Sequence, residues 1–118
     1  MGFSNEGLNY LVDTGYSNAG DFVLKITGTS DEGPEQKSAT VTFGSASISS
    51  GFSCANLSAT ETFTFANTNT VISAIELYDS TGSVKLAEKT YDEGSEPTLS
   101  DGGEVDVTIF RVKLQGVS

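Results

Sequence analysis

The sequence predicts an all-β protein, an antiparallel β-sandwich or jelly roll with one short N-terminal helix. Three observations carry this expectation. Roughly seven or eight short segments alternate apolar and polar residues with a period of two. Clusters of Gly, Ser, Asn and Asp separate those segments, and 13 Gly against 2 Pro suit turn-rich β structure and not a collagen or a linker. Helical spacing is confined to one stretch at the N-terminal end. A chain of 118 residues is long enough for one core and too short for two, so 1–118 is read as a single domain with a helix over 3–13 and strands over 21–118.

The elements follow in order. Phe3 to Asp13 reads as the helix: Ser4 is placed to cap it, Glu6 favours the positive end of its dipole, and Leu8, Leu11 and Val12 share a stripe. Gly15 is expected to supply a left-handed stop. Such a short helix must dock, either to close one end of the β-domain or to pack on a neighbouring subunit. Asp21 to Thr27 is the first strand, with Phe22, Leu24 and Ile26 on one face and Val23 and Lys25 on the other. Gly28 to Ser38 has the composition of an exposed, mobile loop around Gly33-Pro34. Ala39 to Phe43 returns to alternation with Val41 and Phe43 inward, and Ala46 to Ser49 adds a short strand through Ile48. Gly51 to Ala59 is expected to be irregular, anchored by Phe52 and Leu57.

Thr60 to Tyr91 reads as a meander of three strands around which the chain is organised. Thr60 to Ala66 places Phe63 and Phe65 on one face and Thr62 and Thr64 on the other; Asn67 to Asn69 turns it. Val71 to Tyr78 follows, apolar on both faces, with Val71, Ile75 and Leu77 on one and Ile72 and Ala74 on the other. A strand of that kind is central, or its second face meets another element or subunit. Asp79 to Gly82 turns it into Val84 to Lys89. Asp92 to Gly103 is an acidic loop with Leu99 its only large apolar residue. The last stretch, Glu104 to Val117, breaks phase: Val105, Val107 and Ile109 hold one face, then Phe110, Val112 and Leu114 the other. Such a flip requires a bulge, a crossing from one sheet to another, or cover on both faces.

Charge and composition remove several function classes. Six basic against sixteen acidic residues give a net charge of −10, which repels phosphate backbones and anionic lipid, so neither nucleic acid nor a membrane is an expected partner. With no His, Ser-His-Asp and Cys-His chemistry and imidazole metal sites are unavailable, and no catalytic residue is assigned. Cys54 stands alone and is expected to be a small buried hydrophobe. The start lacks the basic and apolar regions of a secretory signal, and no apolar stretch approaches a membrane span; the chain is expected to be soluble and made in a cytoplasm.

Three acidic clusters were weighed as oxygen ligands for a cation: Asp31-Glu32 with Glu35, Asp92-Glu93 with Glu96, and Asp101 with Glu104 and Asp106. None has EF-hand spacing, and no cofactor or metal is assigned. Lys85, Lys89, Arg111 and Lys113 lie on expected strands and suit pairing between subunits with the acidic loops.

Three segments resemble, in order, a family of small bacteriophage virion proteins described as tail-fibre-like, minor tail or head-decoration proteins. Gly7-Leu8-Asn9-Tyr10-Leu11-Val12-Asp13 is similar to that family's "LN.LLD" opening helix. Asp21 to Glu35 and then Ala39 to Ala46 resemble a strand, an "LHTADPGxxG"-like turn and a "VTFGAA"-like strand. Phe63 to Asp79, with Gly82 and Leu86, looks like "FT...VTHVGIWDA.TGG.LL", and Asp101 to Leu114 parallels "AGDTVTFPAGSLTVTL". The family's strand-end His is absent, Lys25-Ile26-Thr27 standing there, and its Trp is replaced by Tyr78, so roles tied to those positions do not carry over.

The resemblance implies a structural protein of the virion and not an enzyme. The leading expectation is a capsid decoration (cement) protein acting by adhesion between subunits, as a homotrimer, on the phage major capsid protein. A small tail or fibre component bound to tail proteins is the alternative within the family. A Ca²⁺-dependent carbohydrate- or receptor-binding β-sandwich is the alternative outside it. Candidate contact residues are Leu8, Leu11, Ile72, Ala74, Phe110, Val112 and Leu114.

Overall fold

The computed structural model describes residues 4–66, 69–92, 94–99, 103–108 and 110–115. Phe3, Asn67, Thr68, Glu93, Asp101, Ile109 and Val117, all used in reading the sequence, lie outside the described residues. The chain begins with helix α1 (Asn5–Val12) and a π turn over Asp13–Ser17. The strands are β1 (Phe22–Ser30), β2 (Gly33–Val41), β3 (Ser47–Ser49), β4 (Phe52–Asn56) and β5 (Glu61–Phe65). Then come β6 (Thr70–Tyr78), β7 (Lys85–Thr90), β8 (Thr98–Leu99), β9 (Gly103–Val107) and β10 (Arg111–Gln115). The fold class is the expected one: all-β, antiparallel and sandwich-like, with one short N-terminal helix. The chain, read from its length as one domain, divides into two compact units: 1–21 with 41–60 and 108–118, and 22–40 with 61–107.

The second unit holds a sheet in the order β2-β1-β6-β7, with β8 also on β6, and a two-stranded sheet of β5 and β9. β6 is central, as its apolar content predicts, but not because both its faces are apolar. Thr27 pairs Ala74 while Gly28 pairs Ile72, so Ser73 is an extra residue in the ladder. This bulge turns Ile72, three residues before Ile75, onto the same inner face. Ile72, Ile75 and Leu77 of β6 are buried there with Leu24 and Ile26 of β1. Each such side chain contributes about 1.5–3 kcal/mol of burial. The opposite face is mixed, with half-buried Val23, Ala74 and Tyr78 beside Lys25, Glu76 and Lys85; Lys25 reaches 4.0 Å from the Tyr78 ring centroid and donates to the Gly82 carbonyl at 3.0 Å.

Three expectations in this unit are corrected. The Gly28–Ser38 stretch is no mobile loop but the hairpin of β1 and β2, turning at Asp31-Glu32. Pro34 is tolerated because β2 is an edge strand, where a missing amide costs no ladder bond. Glu61–Phe65 does not form a meander with β6; all five of its residues pair with β9. The acidic stretch after Tyr91 contains β8, whose Leu99 pairs Thr70, and Ile72 N–H donates to the Pro97 carbonyl at 2.8 Å.

In the first unit β10, β4 and β3 form a sheet in that order, and α1 lies against it. Gly15 does not stop the helix, which widens into the π turn; Gly20, at φ +95°, is the left-handed residue. The "irregular" Gly51–Ala59 contains β4. Ser50 (φ 51°) and Gly51 (φ 82°) form a two-residue hairpin turn with both central residues left-handed, the twist that favours β3–β4 pairing. Cys54 is buried, as expected. The phase break after Val107 is a crossing between sheets: β9 pairs β5, and β10 pairs β4. The Asn56 side chain secures the crossing at both ends, donating to the Thr108 carbonyl at 3.1 Å and accepting from Phe110 N–H at 2.8 Å.

Gly28 of β1 has no room for a side chain. A Cβ there would stand 2.5 Å from Thr70 Cγ2 and 3.1 Å from Phe65 Cε1, both side chains being fully buried. Gly28→Ala is therefore expected to destabilise by about 1–3 kcal/mol in urea unfolding. Adding Thr70→Ser, which removes the clashing methyl group and keeps the hydroxyl, should recover part of that loss. A neutral G28A would contradict this packing.

Candidate interaction surface

The helix is built as an amphipathic clip. Ser4 Oγ accepts from Gly7 N–H at 3.0 Å, Glu6 sits in the first turn, and Leu8 and Val12 point inward and are buried. Polar bonds fix it to the unit's sheet and loops. Ser53 Oγ, fully buried on β4, donates to Asn9 Oδ1 at 2.6 Å, and Ala46 N–H donates to Asp13 Oδ1 at 2.7 Å. Ser17 Oγ donates to the Gly44 carbonyl at 2.6 Å, and the Tyr16 ring meets Phe43 edge-on at 5.6 Å. The other side of α1 faces solvent with Tyr10 69% and Leu11 42% exposed.

Of the seven residues the sequence offered as contacts, four belong to the chain's own interior. Leu8, Ile72, Phe110 and Val112 are buried and present no surface to a partner. Ile72 was misassigned through the Ser73 bulge, and Phe110 and Val112 through the sheet crossing, each of which moves a residue from the apparent outer face to the inner one. Ala74 and Leu114 are half-buried, and Leu11 alone is well exposed. Two exposed apolar residues the sequence reading did not single out as contact candidates are Val84 (55%) and Leu86 (41%), on or beside edge strand β7. Leu86 is the extra residue where Leu77 pairs Ala87 but Tyr78 pairs Lys85, and no sequence signal marks that irregularity.

The acidic clusters dissolve into local roles. Asp31 and Glu32 form the β1–β2 turn, Glu35 pairs Lys37 at 3.0 Å, and the Glu96 carboxylate accepts from Gly94 N–H. Among the described residues no three His, Cys, Asp or Glu side chains gather as metal ligands. No helix among them is long and apolar enough to cross a membrane. Lys85 pairs within the chain, with Glu88 at 3.1 Å and Glu76 at 3.3 Å, and both interactions raise its pKa, Glu88 the more.

Charge is distributed unequally. The first unit carries Glu6, Asp13 and Asp21 against Arg111 and Lys113, so it is nearly neutral; almost all of the net −10 resides in the second. β3, β4 and β10 contain no acidic residue at all. Arg111 and Lys113 are both exposed on one face of β10, opposite the face that carries buried Val112. On β9, Glu104 and Asp106 are both exposed, beside Thr64 and Thr62 of β5. Protein-family models, curated proteins and solved structures yield no match to this chain, which leaves its fold and surface chemistry to speak for its role.

The Asp79 turn is structural. Its Oδ1 accepts from Thr81 Oγ1 at 2.8 Å, Ser83 N–H at 3.0 Å and Val84 N–H at 3.2 Å, and Gly82 closes the turn at φ +76°. The Val84 amide, then the Thr81 hydroxyl, hold the carboxyl below its ordinary 3.8. A depressed folded-state pKa stabilises above the unfolded value and is lost as pH falls through the folded one. Asp79→Ala should therefore lower the melting temperature at neutral pH, and the gap from wild type should narrow as pH falls below 3.8. A gap that stays constant down to acid pH would contradict this role.

Proposed function

We infer that this chain is a structural protein of a bacteriophage particle, acting as a capsid decoration (cement) protein through adhesion between subunits. Its partners are further copies of itself, assembled as a trimer, and the major capsid protein. It is made in the host cytoplasm and resides on the virion surface. The role is adhesive and not enzymatic.

The observation that carries the reading is the solvent-facing side of α1, where Tyr10 and Leu11 stand exposed although the helix already has an inner apolar face. That helix is also the segment most similar to the opening helix of the phage family. Burial of such side chains supplies about 25 cal/mol per Å² before the costs of association, too little for a single strong contact. Repeated over many sites on a shell, weak contacts add through avidity. An all-β chain of two compact units suits that use. A small tail component would share the resemblance and differ in location.

Purified particles analysed by quantitative mass spectrometry should contain the chain at a copy number commensurate with the major capsid protein. Labelling in electron micrographs should mark heads. Label confined to tails would transfer the role there, and absence from particles would reject the reading. Tyr10→Ser with Leu11→Ser should change stability by no more than about 0.5 kcal/mol, as surface substitutions do, while lowering occupancy on particles. Unchanged occupancy would remove α1 from the contact.

A further inference from the structure

We propose that copies of this chain associate head to tail through two complementary strand faces, Arg111 and Lys113 of β10 in one copy against Glu104 and Asp106 of β9 in the next. The proposal builds on the adhesive reading and names the contact and its partner, a second copy of the chain.

The faces match in three respects. Each presents two like charges at i and i+2 on one side of a strand, a spacing of about 6.7 Å in both cases, so the pairs meet in register. All four residues are exposed, and none of them takes part in an ion pair among the described residues. The directly paired neighbours of each are short. Glu104 and Asp106 are flanked by Thr64 and Thr62, with Thr62 Oγ1 donating to Asp106 Oδ1 at 2.7 Å. Arg111 and Lys113 stand over Asn56 and Cys54 of β4, and the Lys113 ammonium lies 5.6 Å from the Phe52 ring centroid. Short neighbours let a second sheet approach, and Arg111 offers a planar fork that matches a carboxylate.

Net charge sets the conditions. Two copies at −10 repel at long range, but at physiological ionic strength charges beyond about 8 Å are screened while pairs in contact are not. The contact is heterologous, since one patch meets a different patch, so it closes into a ring or continues as a chain.

Sedimentation velocity at physiological salt tests it with two full-length variants, each checked by circular dichroism for the wild-type fold. Wild type should self-associate. Arg111→Glu/Lys113→Glu should weaken association by about tenfold or more, as loss of two exposed pairs and their replacement by repulsion requires. Glu104→Lys/Asp106→Lys should weaken it equally, although it lowers the net charge from −10 to −6. A general charge effect predicts the opposite for this second variant. Mixing the two variants should restore association between unlike chains, in pairs or even-numbered assemblies, because each then meets a complementary face. A monomeric wild type, an E104K/D106K variant that associates more strongly, or a mixture that stays monomeric overturns the proposal. Association unchanged in both variants rejects this contact and leaves adhesion through other surfaces standing. Absence of the chain from particles rejects the virion reading and leaves the contact standing.

Discussion

The second unit depends on the antiparallel pairing of β1 with β6 and on the one-residue offset inside it. With the ladder unbroken, a period of two would send Ile72 to the opposite face from Ile75 and Leu77. The extra residue at Ser73 puts all three on one side, against Leu24 and Ile26. Gly28, opposite Ile72, then leaves room for Phe65 and Thr70 to close over the sheet. The outer face is released from packing and carries the Lys25, Glu76, Lys85 and Glu88 charges instead. A strand that looks two-sided in sequence thus buries its large apolar residues on one face, and the adhesion we propose uses other surfaces.

The surfaces proposed for it are ones that the chain's own packing leaves exposed. The outer side of α1, the bulged edge of β7, and the charged sides of β9 and β10 are all exposed. The stretch that runs from β9 into β10 supplies both charged faces. Up to Val107 it belongs to the acidic unit, and from Thr108 to the nearly neutral one. Asn56 holds the backbone of Thr108 and of Phe110 with both halves of its amide. A phase break therefore does two things: it lets one segment contribute to two cores, and it places opposite charges on separate strand faces five residues apart.

Much of this was legible in the residues. Alternation at Phe22, Leu24 and Ile26 and at Phe63 and Phe65 identified strands and their inner faces, because a half-buried strand leaves a local signature. The flip after Val107 named the sheet crossing as one of its explanations. The Ser4 cap, the Asp79 turn and burial of Cys54 are equally local. What escaped is nonlocal. Glu61–Phe65 pairs with β9 across a long stretch of chain, and no periodicity reports which distant strand completes a ladder. β2 reads as a loop because an edge strand accepts Gly, Pro and charge that a central strand would reject. The bulges at Ser73 and Leu86 leave no trace in composition, and the first of them turned a core residue into an apparent contact.

The central claim, that oppositely charged strand faces join successive copies, is tested most directly by zero-length carbodiimide cross-linking of mixed isotope-labelled and unlabelled chains. The account predicts mixed-isotope peptides in which Lys113 is bonded to Glu104 or Asp106. Cross-links at Lys113 found only within single chains, or between chains only to other carboxylates, would contradict it.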